Sequence, residues 1–363
     1  MSLNAPSAPS PSPSSLPPRP SGGRIAPAVF AVAILIVAGT AVAATAAYFE
    51  FRPNPSPTHK SPPPGTPTVT LVDDLGRRVT APQNAVRIVV LAPSILDIVE
   101  RLGLRAHVVG IGCQPSGTGI LSEYSPNQTS AWNLSSALCI QDFPSVNIED
   151  LVNRSPQVVL ASTITSASAV ETLTNTYGIP VVILAPSGLE GIVGDVGLVA
   201  QLYPNDTLSL SLMGTLHDTL NNATTLDANL STNGVGIPTV LLSYYFDGGG
   251  YYTYGPGSFG ESMIELAGGS SIAGAAPLVY FEMNGSTVLN DQPAVVVYGT
   301  SWNDPALVSG QTPSVWGTAP YWSQLNGTKH AIDVTSLTEA DPTLILTLPL
   351  LEHWMHPSLV PAP

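Results

Sequence analysis

We predict an α/β protein with two lobes joined by a long helical backbone, carried behind an N-terminal transmembrane helix and a Pro-rich linker. In residues 68–188 and again in residues 233–363, short apolar strands without polar alternation take turns with helical segments, which is typical of parallel sheets covered on both faces. Residues 189–232 between them carry no strand pattern and predict connecting helices. Residues 24–49 are almost entirely apolar and predict a membrane span.

The apolar segment decides on which side of a membrane the lobes work. Residues 25–49 carry no charge, and a helix of this length, at about 1.5 Å per residue, crosses a hydrocarbon core of about 30 Å. Arg19 and Arg24 precede it, which favours a cytoplasmic position for the Pro/Ser-rich tail of residues 1–23. Ala-x-Ala steps within residues 41–47 leave a cleaved secretory signal as the alternative, although the apolar run exceeds the usual signal core. Both interpretations place the lobes outside the cell, and the single-pass anchor is preferred.

The linker and the overall charge limit the partners. Residues 50–67 are rich in proline and predict a stiff spacer between the membrane and the lobes. Charged residues make up only 10% of the chain and the net charge is −14, which argues against nucleic acids and anionic lipid surfaces as partners. We expect a monomer without cofactor or metal.

Two further features agree with export. The cysteines, Cys113 and Cys139, fit no zinc-binding spacing. In an exported chain such a pair predicts one disulfide, with two buried thiols as the alternative. Asn-x-Ser/Thr triplets are frequent, and the glycosylation candidates among them are Asn127, Asn133, Asn205, Asn222, Asn229, Asn284 and Asn326.

The two predicted lobes share a local pattern. The first opens with alternating apolar runs on either side of Asp74–Gly76, which predict a β-hairpin. Residues 149–156 predict a short helix that ends at a proline before a buried strand, and residues 286–293 repeat this arrangement in the second lobe. Two similar lobes leave a cleft between them, and small molecules bind at such clefts beyond the ends of parallel strands.

A set of short stretches points to a known family. They are, in chain order, Asp73–Val79, Arg87–Ser94, Leu102-Gly103, Val108–Gly110, Val146–Glu149, Ser155–Leu160, Gly178–Val181, Gly255–Phe259 and Ala267–Gly269. In this order the sequence resembles the cobalamin and iron-siderophore class of solute-binding proteins that feed ABC importers, the class III periplasmic binding proteins. The resemblance implies two Rossmann-like lobes, a rigid connecting helix, modest closure on a ligand, delivery to a membrane permease and no enzymatic step.

The resemblance also implies a docking pair, in which one glutamate on each lobe binds arginines of the permease. Glu149 matches the first position. By its spacing to the following proline, the second position falls on Ser286, which forms no ion pair. Glu282 substitutes for it if a helical turn precedes this residue. The family often has glutamate where this chain has Asp97.

Aromatic residues of the second lobe are the first candidates for ligand contact. Tyr245, Tyr252 and Tyr254 belong to the Gly-rich residues 244–258, which predict a loop at the cleft. Tyrosine rings offer flat contacts, and their hydroxyls orient a ligand. The alternative is a mobile loop whose tyrosines pack on their own lobe.

Further candidates follow from position alone. Pro93 and Ser94 begin a helix at the matching edge of the first lobe, and either a ligand contact or a plain helix start fits them equally. Trp302 and Trp316 belong to second-lobe loops, where they reach the cleft or anchor the core. A spacing of three separates His353 and His356, but Pro357 ends the helix there, and we interpret the pair as fortuitous.

Charge narrows the ligand and the function. From Val181 onward the chain has one cation, Lys329, against fifteen Asp and Glu residues. Anionic ferric chelates need arginine clusters, so we expect a neutral or cationic ligand: a corrinoid or a hydroxamate chelate. The chain has none of the common catalytic motifs. Capture for import is therefore the predicted function, and a surface sensor or structural module that reuses the fold is the alternative.

Overall fold

Two α/β units and a pair of long helices make up the part of the chain that the structure describes. The structure is a computed structural model that covers residues 65–113, 138–142, 144–204, 207–300 and 315–363. The predicted tail, anchor and most of the linker lie outside these residues, as do Asn127, Asn133, Asn205 and Trp302. None of the described helices combines the length and the apolar character that crossing a bilayer requires.

A β-hairpin begins the fold, as predicted. Strands β1 (Thr68–Val72) and β2 (Arg78–Pro82) pair in antiparallel register. The Asp73 carboxylate accepts a hydrogen bond from the backbone N–H of Arg77 at 2.9 Å and pairs with its guanidinium, which closes the turn. The same carboxylate accepts from the backbone N–H of Ile183 at 3.2 Å and so attaches the hairpin to the first sheet.

The first sheet is entirely parallel. Its strands are β3 (Ile88–Val90), β4 (Val108–Cys113), β5 (Cys139–Gln141), β6 (Val158–Ala161) and β7 (Val181–Ile183), in the order β5-β4-β3-β6-β7. Its helices are α1 (Pro93–Arg101), α2 (Ile148–Asn153) and α3 (Ala167–Glu171), the last continued by a π-helical turn at Thr172–Thr176. Side chains on both faces are buried in hydrophobic clusters. This two-sided burial is the reason that the strands show apolar runs instead of alternation.

Two helices connect the sheets. They are α4 (Gly188–Gln201) and α5 (Thr207–Thr232), in agreement with the predicted connecting helices. Buried side chains of both helices, such as Val196 and Leu216, belong to one hydrophobic cluster with residues of both sheets. The helices therefore contribute to a core that both units share.

The second sheet is mixed. Its strands are β8 (Thr239–Phe246), β9 (Gly250–Tyr254), β10 (Ser270–Ser271), β11 (Tyr280–Asn284), β12 (Val295–Thr300) and β13 (Thr328–Asp333). The order is β11-β9-β8-β12-β13, with the short β10 beside β8. Strands β8, β12 and β13 are parallel, whereas β9 is antiparallel to both of its neighbours. Strand β11 therefore runs in the direction of β8 and ends at the same edge of the sheet.

The helices of the second unit pack around this sheet. They are α6 (Phe259–Leu266), α7 (Gly285–Asp291), α8 (Thr335–Thr338), α9 (Pro342–Leu346) and α10 (Leu348–Met355). Helix α6 begins after Ser258, whose hydroxyl caps the helix by accepting from the backbone N–H of Glu261 at 3.0 Å.

The local pattern shared by the two lobes is confirmed at the level of helix caps. An asparagine caps both α2 and α7. The Asn147 side chain accepts a hydrogen bond from the backbone N–H of Asp150 in α2, and the Asn284 side chain accepts one from the backbone N–H of Ser286 in α7. Glu149 and Ser286 are each the second residue of their helix. Ser286 is thus the positional counterpart of Glu149.

The predicted disulfide is present. Cys113 at the end of β4 and Cys139 at the start of β5 are bonded, with their Cα atoms 5.5 Å apart. The two strands are neighbours, and Cys113 lies opposite Gln141. The bond therefore ties an edge strand of the first sheet to its neighbour across a sequence separation of 26.

A carboxyl pair links the hairpin turn to α4. Burial is the main cause that raises the pKa of Asp195 to about 10, and a hydrogen bond to Asp74 and the negative charge of Asp74 add to it. Asp195 is therefore protonated at neutral pH. Asp74 also accepts from the backbone N–H of Ala185 at 2.6 Å, just beyond β7. The turn is thus fixed to both the strand and the helix that follows it.

Candidate functional site

The Gly-rich segment of the second unit is a β-hairpin, and the prediction of a loop over residues 244–258 was wrong for most of its length. Strand β8 extends to Phe246 and β9 begins at Gly250, so only Asp247–Gly249 form the turn. The Asp247 carboxylate accepts from the backbone N–H groups of Gly249 and Gly250, at 2.8 and 3.3 Å. An Asp-Gly pair between aromatic runs is itself a hairpin signal, which the sequence interpretation passed over.

Tyr245 and Tyr252 form the surface of this hairpin. They lie opposite each other in the register of β8 and β9, and their ring centroids are 5.3 Å apart. Both rings are half-buried. The Tyr252 hydroxyl donates to Asp247 Oδ2 at 3.3 Å. The structure therefore brings these two predicted residues together at the carboxyl end of β8.

Tyr254 and Trp316 are core residues. Tyr254 is 3% exposed, and its hydroxyl donates to the Leu337 carbonyl at 2.8 Å. Trp316 is 4% exposed, and its Nε1–H donates to the Gly299 carbonyl at 2.9 Å. Since neither side chain reaches the surface, the sequence prediction of ligand contact is corrected for both residues.

Tyr252 and Tyr254 of β9 give a matched test of this distinction. We expect Tyr254→Phe to lower the free energy of unfolding by about 1–2 kcal/mol, because it leaves the buried Leu337 carbonyl unpaired. We expect Tyr252→Phe, which removes a half-buried hydroxyl, to lower it by less than about 0.5 kcal/mol. Urea unfolding of the two variants measures both values. Equal effects would contradict the assignment of Tyr254 to the core.

Tyr244 is a polar residue that the sequence analysis did not single out. Its side chain is 5% exposed, and its hydroxyl has no hydrogen-bond partner among the described residues. Its ring lies 5.0 Å from that of Tyr254 and 6.3 Å from that of Tyr252. Burial, and then the neighbouring hydroxyls of Tyr280 and Tyr252, raise the pKa of Tyr244. It therefore stays a neutral hydrogen-bond donor.

Glu282 is not preceded by a helical turn, so the condition for its docking role fails. It lies in strand β11 directly opposite Tyr252. Burial, and then the charge of Asp247 and a hydrogen bond to it, raise the pKa of Glu282. The Glu282 side chain thus belongs to the cluster around the hairpin turn.

Pro93 and Ser94 form the first turn of α1, directly after β3 in the first sheet. Both are half-buried, and the residue that caps the helix, Ala92, offers no side-chain hydrogen bond. The residues lie at the carboxyl end of a parallel strand, as predicted. Among the described residues, no hydrogen bond or ring contact joins Ser94 to the tyrosines of the second unit.

A polar contact between the units lies beside this helix. The Arg101 guanidinium donates to Asp97 Oδ2 at 2.7 Å and to Thr343 Oγ1 of α9 at 3.0 Å. Burial, and then the charges of Asp97 and Glu339, raise the pKa of Asp341, which caps α9 through the backbone N–H of Thr343. The Asp97 carboxylate thus holds Arg101 where it contacts Thr343 of the second unit.

Nearly every described arginine of the first unit forms an ion pair or a hydrogen bond within that unit. Arg77, Arg101, Arg105 and Arg154 pair with carboxylates of their own unit, and Arg87 donates to backbone carbonyls of residues 154–155. Arg78 is exposed on β2. The described residues therefore offer no arginine cluster for an anionic ligand.

The terminal histidines serve the fold. His356 is buried and its Nε2 contacts the Gly268 carbonyl at 3.0 Å, while Nδ1 of His353 contacts the Val360 carbonyl at 2.8 Å. Within the described residues, no group of three or more potential ligand side chains surrounds a metal position.

Among the glycosylation candidates, the exposed ones that the structure describes are Asn222, Asn229, Asn284 and Asn326.

Comparison with known proteins finds relatives in sequence and in fold. No family model matches the chain. A cobalamin-binding protein of Halobacterium salinarum is 28% identical over 279 residues, which span 74% of this chain and 69% of the relative. This similarity agrees with the predicted resemblance to the cobalamin class of solute-binding proteins.

Solved structures of periplasmic binding proteins agree with this chain in fold. The molybdate-binding protein MolA of Haemophilus influenzae has a TM-score of 0.63 at 19% identity, covering 80% of this chain and 91% of its own. The vitamin B12-binding protein of Vibrio cholerae has a TM-score of 0.57 at 17% identity, covering 76% and 98%. A heme-binding protein of Pseudomonas aeruginosa has a TM-score of 0.58 at 17% identity, covering 76% and 94%. These relatives are named for the ligands they bind and not for a reaction, which agrees with the prediction of a chain without an enzymatic step.

Proposed function

We propose that the chain is a membrane-anchored extracellular solute-binding protein that captures a corrinoid or a hydroxamate-type iron chelate and delivers it to an ABC importer. The single observation that carries the proposal is the pair of half-buried rings, Tyr245 and Tyr252, at the carboxyl end of β8. Ligands of α/β proteins bind beyond the carboxyl ends of parallel strands. Pro93 and Ser94 occupy the corresponding edge of the first sheet.

The class of ligand follows from charge and from ring surface. Apart from the exposed Arg78, the described arginines of the first unit are held by carboxylates or backbone carbonyls. The second unit contains one lysine, so a polyanionic chelate lacks its usual partners. Tyrosine rings suit a large flat or apolar molecule whose polar groups are amides or hydroxamates. The relatives named for cobalamin and vitamin B12 support this choice.

Docking to the permease is proposed through Glu149. It is exposed in the first turn of α2, where the Asn147 cap fixes the direction of the helix. Residues 24–49 would hold the protein at the membrane as a single-pass anchor, and the exposed sequons would carry sugars on the extracellular surface. A monomer is sufficient for this role.

Ligand binding is the direct test. We expect the full chain, purified in detergent, to bind cyanocobalamin or a ferric hydroxamate with micromolar or tighter affinity. Intrinsic tryptophan fluorescence is the measurement, since closure changes the surroundings of aromatic side chains. A panel of corrinoids, heme and neutral ferric hydroxamates that leaves the fluorescence unchanged would count against this function.

A surface sensor that reuses the fold is the second candidate. The observation that favours it is Ser286, which takes the place of a docking glutamate at the counterpart of Glu149. A chain that binds ligand but never stimulates its neighbouring transporter would support sensing over import.

A further inference from the structure

The turn between β8 and β9 carries a carboxylate pair beside two tyrosine rings. We infer that Asp247 and Glu282, with the rings of Tyr245 and Tyr252, form a subsite for a positively charged group of the ligand, such as an alkylammonium arm. This inference rests on the proposed function. The predicted ligand was neutral or cationic, and this inference restricts it to a ligand with a positively charged group.

Three adjacent strands bring these groups together. Glu282 of β11 lies opposite Tyr252 of β9, which lies opposite Tyr245 of β8. The Tyr252 hydroxyl donates to Asp247 Oδ2 at 3.3 Å. Glu282 Oε1 lies over the turn, where a Cβ added at Gly249 would meet it at 3.0 Å. The two carboxylates therefore share one side of the turn with the rings.

Within the described part of the chain, no Lys, Arg or His forms an ion pair with Asp247 or Glu282. The only Lys or Arg residue from Val181 onward is Lys329. Its ammonium donates to the Leu325 carbonyl at 2.6 Å and lies 5.6 Å from the Trp322 ring centroid, so it is already held elsewhere. After burial, the charge of Asp247 is the next cause that raises the pKa of both Tyr245 and Tyr252. A bound cation would relieve this negative potential and gain contact with the ring faces.

The buried hydroxyl of Tyr244 is an independent sign of a ligand at this place. It is 5% exposed and lacks a hydrogen-bond partner among the described residues, and its ring lies 6.3 Å from the Tyr252 ring. A buried donor without a partner costs free energy. A hydroxamate or amide oxygen that enters beside Tyr252 would accept its hydrogen bond, while the cationic group of the same ligand meets the carboxylates.

Matched ligands test the inference. Ferric desferrioxamine carries a free alkylammonium arm, and its N-acetyl derivative differs by losing that charge. Aquocobalamin and cyanocobalamin form a second pair that differs in charge. By calorimetry, we expect the full chain to bind the cationic member of at least one pair about tenfold more tightly. The preference should decrease as salt is raised.

The double variant Asp247→Asn, Glu282→Gln should abolish the preference, because the amides remove both negative charges while they keep the shape of the side chains. The control Asp218→Asn, Asp291→Asn removes the same net charge from exposed positions on α5 and α7 and should keep the preference. The single variant Glu282→Gln, at an exposed strand position, serves if the double variant unfolds.

The outcomes separate the two proposals. Equal binding of charged and neutral members by the unaltered chain, or a preference that survives in the double variant, would overturn the subsite while leaving the proposed function in place. Failure of all four probes to bind would overturn both.

Discussion

A chain with Glu149→Arg is expected to bind its ligand with unchanged affinity and to lose its stimulation of the partner transporter's ATPase. Glu149 is exposed in the first turn of α2, in the first unit, whereas the tyrosines of β8 and β9 belong to the second. We therefore expect the substitution to leave the ligand contacts of these tyrosines intact. In the proposed complex this carboxylate meets permease arginines. Reversing its charge replaces attraction by repulsion, and losing one partner of a desolvated pair costs about 2–5 kcal/mol.

The measurement is ATP hydrolysis by the cognate transporter in proteoliposomes as the concentration of the ligand-loaded protein is raised. Glu171→Arg is the matched control, since it reverses an exposed charge on α3 of the same unit and should keep full stimulation. Ser286→Glu creates the second carboxylate at the counterpart position of α7 and should increase stimulation. Full stimulation by the Glu149→Arg protein would place docking elsewhere.

Reduction of the Cys113–Cys139 disulfide is expected to lower the free energy of unfolding by about 3.5 kcal/mol. The estimate follows from the loop-closure entropy of the unfolded chain for a separation of 26 residues. The bond joins β4 to the edge strand β5, which has only three residues, Cys139–Gln141, and pairs with one neighbour. Without the bond, we expect this edge of the first sheet to open before the rest of it.

Urea unfolding with and without dithiothreitol measures the loss, and hydrogen exchange at Ile140 reports the edge strand. In the double variant Cys113→Ala, Cys139→Ala the stability should match that of the reduced protein and no longer respond to dithiothreitol. A reduced protein that is as stable as the oxidised one would show that the loop closure contributes nothing.

Much of the fold could be predicted from patterns that depend on near neighbours. The hairpin turn at Asp73–Arg77 and the start of α6 at Ser258 are local hydrogen-bond arrangements that turn and capping residues specify. The parallel first sheet could be predicted, because strands buried on both faces must be apolar throughout. The mixed direction of strands in the second sheet could not be predicted, because the direction of a strand depends on the strand with which it pairs.

The candidate site was predicted only in part. Tyr245, Tyr252 and Tyr254 look alike in the sequence, but strand β9 places Tyr252 at the surface and Tyr254 in the core. Glu282 and Asp247 are 35 positions apart, and only the pairing of β11 with β9 brings them to one turn. Tyr244 gave no signal, since an unpaired hydroxyl is a property of the packed surroundings.

The sequence by itself determined the α/β class, the helical connection, the family resemblance, the scarcity of positive charge and the cysteine pair. These features follow from composition, periodicity and short-range capping, which the chain carries at every position. The tertiary structure decided which tyrosines are covered and which carboxylates meet. Those facts depend on which distant segments pack over each strand position: Tyr252 and Tyr254 lie on the same face of β9, and the Leu337 carbonyl and the Tyr280 ring lie against Tyr254.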